Sequence, residues 1–312
     1  MPLVSVVIPV YKVEKYIRRC LISIQQQSLS DIEIIVVNDC TPDNTMAVVQ
    51  ELAREDKRIK VIDLERNEGP MIARKKGYMA ATGDYITFCD GDDSMPSNAL
   101  ELLYAAAIES KADIVSGNMM YKSCTGSESF LRNKLKYGNS KADILKSLLR
   151  HELSHNLCSK LFKTALLQKH EYKTFINATN GEDACLFYQV VRNMNKIIQI
   201  QDVVYYYMQN TASSSQKRRT YNALESICIA NATIVDVASE FQELRNELAT
   251  NVSTTLVSLI YRGYNKDGTL SRLFSKYGLE DYCSNRSIIK SHSTQDALKL
   301  LLKKYVLRTQ VG

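Results

Sequence analysis

Five short β-branched runs, spaced by helical patterns, constrain this chain more than any other feature. "VSVVIPV" (Val4 to Val10) and "EIIVVN" (Glu33 to Asn38) are almost continuously apolar, as strands covered on both faces are. "IKVIDL" (Ile59 to Leu64), "YITFC" (Tyr85 to Cys89) and "DIVSG" (Asp113 to Gly117) follow. Between them, Tyr16, Ile17, Cys20, Leu21 and Ile24 share one helical face. Thr41 and Pro42 offer an N-cap and an N1 proline before "NTMAVVQELARE", and Gly83 closes a helix carrying Ala73, Gly77 and Ala80. Strand and helix alternating in this way predict an α/β fold with a mostly parallel sheet and right-handed crossovers. Beyond Ser140 the pattern is mostly helical, in "KADILKSLLRHEL", "DACLFYQVVRNM" and from Tyr221 onward, with one aromatic strand, "VVYYYM" (Val203 to Met208). The stretches Tyr121 to Asn139 and Asn210 to Arg219 read as connections.

Charge divides the chain. Residues 1–120 hold 13 Lys and Arg against 18 Asp and Glu, whereas residues 121–312 hold 27 against 16. The change of sign near residue 120 predicts a change of task, with the basic part suited to phosphate-bearing or anionic partners. No apolar run approaches the roughly 20 residues that span a membrane, and "MPLVSVVIPVYK" lacks the basic and cleavable parts of a leader, so the expected location is the cytoplasm. The eight cysteines form no C-x-x-C pair, which predicts free thiols rather than a zinc ribbon or disulfide framework.

In an open parallel sheet, ligands bind beyond the carboxyl ends of the strands. There the sequence sets "PVYK", then "NDCTPDN" with Asp39, then "CDGDDS" with Asp90, Asp92 and Asp93. Carboxylates this crowded repel one another unless a cation sits among them, and an Asp-x-Asp turn suits a hard divalent ion that keeps positions open for substrate phosphates. An acidic surface turn is the plain alternative, but "RNEGPMIARKKGYMAATGDYITFCDGDD" (Arg66 to Asp93) puts an ordered series of Asn-x-Gly, Ala-Arg, Gly and Ala-x-Gly-Asp-Tyr ahead of it.

Taken together, these segments resemble the family 2 glycosyltransferases of the GT-A fold, densely over residues 3–120 and more thinly to about 215. The resemblance implies a Rossmann-like, mostly parallel sheet flanked by helices. It would comprise a glycosyltransferase domain over 1–215, with a nucleotide-sugar half (1–120) and an acceptor-side half (121–215), then a helical C-terminal region (216–312). It further implies an inverting, non-processive transfer of one sugar from a nucleotide-diphosphate donor, UDP-linked in the usual case, to a hydroxyl of a glycan or lipid-linked glycan, as in cell-surface polysaccharide synthesis. Nucleic acid is not an implied partner. Carried over by position, Pro9, Val10 and Tyr11 would line the nucleotide pocket and Asp39 would meet the base. Asp90 would hold the ribose side, Arg74 would order the donor site, and Asp92 would ligate Mg or Mn. The general base would be Asp183, paired with Glu182 in "NGEDACLF". Asn38 and Cys40 replace the usual Asp and Gly, and Lys12 replaces Asn.

A competing motif is "HELSH" (His151 to His155), the H-E-x-x-H pattern of zinc metalloproteases, which needs both histidines one turn apart on a helix. Cys158 and Leu161 stand where a metzincin continues with Gly and His. A catalytically inactive nucleotide-sugar binder is a further alternative. "QKRRT" (Gln216 to Thr220), in a chain with no tryptophan, does not match the Q-x-x-R-W of processive synthases, although Lys217, Arg218 and Arg219 are placed to fold over a diphosphate. Near the end, Leu298, Leu301, Leu302, Tyr305 and Val306 share a face flanked by Lys299, Lys303, Lys304 and Arg308. That face suits packing on the catalytic domain, on a second subunit, or peripherally on an anionic membrane.

Overall fold

The computed structural model describes residues 2–123, 127–135, 137–209, 220–262, 264–265 and 267–284. Lys217, Arg218, Arg219 and the amphipathic segment 296–310 lie outside the described residues.

β1 (Val4–Val10) forms parallel ladders with β2 (Ile32–Asn38) on one edge and β4 (Tyr85–Phe88) on the other, and β3 (Ile59–Asp63) adds beyond β2. Because helices cover both faces, β2 is buried at every residue but the last, which explains its unbroken apolar run. α1 (Ile17–Gln25), α2 (Thr45–Glu55), α3 (Pro70–Ala80) and α4 (Ala99–Ser110) make the crossovers. α3 lies very close to the sheet: a Cβ at Gly77 would fall 2.3 Å from Val7 Cγ1, so only glycine permits that approach.

Beyond β4 the sheet departs from the expected sequence of strands. β7 (Lys160–Lys163) inserts antiparallel between β4 and β5 (Ile114–Ser123), and β8 (Ile197–Gln209) runs parallel along the other edge of β5. The eight-stranded sheet of the described residues thus runs β3-β2-β1-β4-β7-β5-β6, with β8 beside β5. The stretch expected as a loop after Tyr121 instead contributes β6 (Glu128–Leu131), which pairs with the distal part of β5. The aromatic strand is also longer than its apolar run, because Ile197 to Gln199 form an earlier stretch of ladder with Ile114 to Ser116 of β5.

Several local expectations need correction. α2 starts at Thr45, not after Pro42; Thr41 is instead fixed by its hydroxyl, which donates to Asp43 at 2.7 Å and accepts the Lys12 N–H at 2.8 Å. α3 ends at Ala80, and Gly83 leads into β4, its N–H donating to Ser5 Oγ at 2.9 Å. α5 (Lys141–Leu149) opens with a Ser140–Asp143 capping box but stops before the HELSH stretch. Later come α6 (Thr164–Gln168), α7 (Glu182–Asn193), α8 (Tyr221–Ala238), α9 (Arg245–Tyr261) and α10 (Thr269–Lys276), so the described residues after β8 are mostly helical. α8 packs on α7 and is tied to α10 by Lys276 Nζ on Glu225 Oε1 at 2.6 Å, so the extension braces the helix that opens with Glu182 and Asp183. No described helix is long and apolar enough to cross a membrane. Six cysteines among the described residues are free, in line with the thiol expectation.

Candidate functional site

The carboxyl ends of β1, β2 and β4 carry the sequence-selected residues to one side of the sheet. Val10 is buried, Pro9 half-buried, and Tyr11 is exposed at 39% beyond them. Lys12 and Cys40 both take left-handed backbone, at φ 57 and 54°, as the chain turns out of β1 and β2. Asp39 is buried and accepts N–H bonds from Glu68 (2.7 Å) and Gly69 (2.9 Å), so it fixes the loop that starts α3. Burial nevertheless pushes its carboxyl above the ordinary range.

Asp93 and Asp90 of the acidic turn are placed differently. Asp93 faces inward, accepting from the Tyr205 hydroxyl at 2.6 Å and from the Met208 N–H at 2.7 Å. Burial first, then the charges of Asp90 and Asp92, raise its carboxyl well above the usual range. Tyr205 OH also accepts the Asp90 N–H at 3.1 Å, so β8 clamps the turn from beneath. Nothing in the sequence pattern marked that tyrosine beyond its place in an aromatic run.

Asp90 remains at the surface of the site, its side chain 33% exposed, and receives Arg74 Nη2 at 2.7 Å. Arg74 is the junction. Its Nη1 lies 3.2 Å from Asp183 Oδ1 and 3.5 Å from Glu182 Oε1, so one buried guanidinium joins the acidic turn to the first residues of α7. Burial opposes its charge, yet Asp183, Asp90 and Glu182 hold it well above its ordinary value. Three carboxylates share one cation here, and both Glu182 and Asp183 are pushed upward, in each case chiefly by burial. Asp183 also accepts the Leu157 N–H at 3.4 Å. The α7 start is aimed by Gly181, whose φ of 87° is left-handed and whose absent Cβ would lie 2.9 Å from Ala230 Cβ.

Asp90 and Asp183 line a cavity of about 390 Å³ together with the turn His151 to Asn156, Tyr121 and Tyr207. Those two rings pack 5.1 Å apart. HELSH therefore belongs to a pocket wall and not to a zinc-binding helix. His151 takes a left-handed φ of 56° just after α5 ends, which breaks the one-turn spacing that H-E-x-x-H needs. His155 is held down to about 4 by burial, then by Lys160 and His151. Among the described residues no group of three or more His, Cys, Asp or Glu forms a metal cage. The acidic turn offers hard oxygen donors only, which fits a divalent ion completed by substrate phosphates rather than by the protein alone.

Residues 5–170 match the family model described as "Glycosyl transferase family 2". The chain is 30% identical over 217 residues to glycosyltransferase GlyG of Streptococcus pneumoniae, spanning 68% of this chain and 72% of GlyG. It is 42% identical over 135 residues to the uncharacterized glycosyltransferase EpsJ of Bacillus subtilis, a match that covers 43% of this chain and only 39% of EpsJ. S. aureus TarS 1-349, solved in complex with UDP-GlcNAc, superposes with a TM-score of 0.76 at 20% identity, covering 98% of this chain and 88% of that one. At that identity the likeness speaks for the fold.

Proposed function

The chain belongs to glycosyl transferase family 2, and from that premise we propose that it transfers a single sugar, with inversion, from a UDP-sugar to a hydroxyl of a glycan or lipid-linked glycan. The observation that carries this reading is the double engagement of Arg74. By pairing with Asp90 on one side and Asp183 on the other, it sets the donor-side acid and the proposed base at the mouth of one cavity.

In this reading the donor lies across Pro9, Val10, Tyr11 and Asp39 toward Asp90, and the acceptor enters along the 151–156 turn. Tyr121 and Tyr207 offer aromatic surface to a sugar ring there. Asp183 takes the proton of the acceptor hydroxyl as its oxygen bonds to the anomeric carbon. The bond from that carbon to the diphosphate breaks, and the electron pair leaves with the diphosphate. Asp92 would hold a Mn or Mg ion, which when bound supplies the positive charge that stabilises the departing diphosphate. Arg74 counters the upward push that burial gives the Asp183 carboxyl. UDP as the nucleotide rests on the TarS complex, and a divalent ion rests on the acidic turn together with a mannosyltransferase of the same fold solved with GDP-Man and Mn2+.

A thermal-shift panel of UDP-glucose, UDP-GlcNAc and GDP-mannose, each with and without Mn, tests the reading, since a ligand that binds the native state raises the unfolding temperature with its saturation. A shift from a UDP-sugar that needs Mn is expected. A shift from GDP-mannose alone, or equal shifts with and without metal, would overturn the donor or the metal part of the proposal.

A further inference from the structure

Lys160, the first residue of β7, is fully buried, an expensive place for an ammonium group unless it is paired and hydrogen-bonded. Its backbone is fixed in the sheet, where its carbonyl accepts the Thr87 hydroxyl at 2.8 Å. Its Nζ donates to the Asn156 carbonyl at 2.6 Å and approaches Asn156 Oδ1 at 3.3 Å. The same Nζ lies over the Phe187 ring, 4.9 Å from its centroid. Phe187 stands one helical turn after Asp183 on α7, so both project from one face of that helix. The residue that follows Asn156 is Leu157, whose N–H points at Asp183 Oδ2 from 3.4 Å. Lys160 therefore touches both supports of the proposed base: the segment that donates to its carboxylate and the helix face that carries it.

We infer that Lys160 is a positioning residue for Asp183, holding the Asn156–Leu157 segment against that carboxylate and supplying a second positive charge behind it. The inference rests on the reading of Asp183 as general base. The charged groups around the pair come from four elements. Arg74 on α3 faces Asp183 across the site, Asp90 follows β4, Glu182 shares α7, and Cys158 and His155 precede Lys160 on the way into β7. Without Lys160, Arg74 alone would offset Asp90, Glu182 and Asp183. The electrostatics agree with the geometry: burial and Asp90 raise the Asp183 carboxyl, while Arg74, the Leu157 N–H and Lys160 lower it. Burial in turn pulls the Lys160 ammonium down to about 7, against the charge of Asp183. A lysine that only filled space would be replaceable by methionine with no effect on that carboxylate.

The test uses the full chain labelled with ¹³C at the aspartate carboxyl carbons. The Asp183 resonance is identified as the one missing from Asp183→Asn. In Lys160→Met its titration midpoint should rise by roughly one pH unit, the effect of removing one close opposite charge. Should Lys160→Met not fold, Lys160→Gln, which keeps a donor for the Asn156 carbonyl and loses the charge, should show the same rise. A folded Lys160→Met or Lys160→Gln with an unmoved midpoint overturns the inference. Release of UDP from UDP-GlcNAc with Mn separates this from the base reading. Full turnover in Asp183→Asn sinks the base assignment, whereas lost turnover there with an unmoved midpoint in Lys160→Met sinks only the role of Lys160.

Discussion

Buried carboxylates at opposite ends of the parallel strands are treated in opposite ways. At the amino ends, Glu33 of β2 accepts from the Ser5 hydroxyl at 2.6 Å, the Thr82 N–H at 2.6 Å and Lys60 Nζ at 2.6 Å. Burial alone would raise its carboxyl, but these donors prevail and hold it down to about 2. At the carboxyl ends, Asp93, Glu182 and Asp183 are all raised, each chiefly by burial and then by neighbouring acids, and the single guanidinium of Arg74 does not offset this at Glu182 and Asp183. Glu33 is complete within the fold and serves architecture. The opposite cluster holds more carboxyl groups than cations, which is what the proposed site for a metal ion and a reacting sugar requires.

The largest effect expected from this contrast is on chemistry. Asp183→Asn should lower turnover by roughly 10²–10⁴-fold while UDP-sugar affinity is retained, with Glu182→Gln less harmful, as read by UDP release and calorimetric titration. Unchanged turnover would break the distinction between the two ends. Glu33→Ala should do the reverse, costing on the order of 3 kcal/mol in chemical denaturation and leaving UDP affinity alone, since it strands buried donors at Ser5, Thr82 and Gly83.

Acidity sharpens the comparison further. A carboxyl held at about 2 in the fold, against an ordinary 4.5, contributes stability that is present above pH 4.5 and lost as pH falls toward 2. The stability gap between wild type and Glu33→Gln should therefore close across that window in urea titrations. A gap that widened on acidification would contradict the assignment. The smallest effect belongs to Asp92→Ala. Removing one of three crowded charges should leave apo stability within about 1 kcal/mol of wild type, or slightly above it, by thermal denaturation.

The sequence is unequally transparent across these regions. β1 and β2 are legible because strands buried on both faces cannot avoid long apolar runs, and the acidic turn because its charges are contiguous. β7 escaped notice: four residues with lysine at each end show neither period, and only its pairing with β4 and β5 makes it a strand. The HELSH turn misleads for the opposite reason, since the apolar spacing of α5 runs on into it while the left-handed residue His151 ends the helix. Asp90, Arg74 and Asp183 were each selected by motif, but the ion pairs that unite them depend on α3 lying tight on β1 over Gly77, which no local pattern reports. Tyr205 was hidden in the same way, one aromatic among several in β8 until the fold brought it under Asp93.

The most direct measurement is calorimetric titration of UDP into wild type and Asp92→Ala, each with and without Mn. If the carboxyl ends of the strands form a metal-assisted nucleotide-sugar site, wild type binds UDP at least roughly tenfold more tightly with Mn, a difference of about 1.4 kcal/mol, and the variant loses that dependence while remaining folded. Metal dependence that persists unchanged in folded Asp92→Ala would contradict the account.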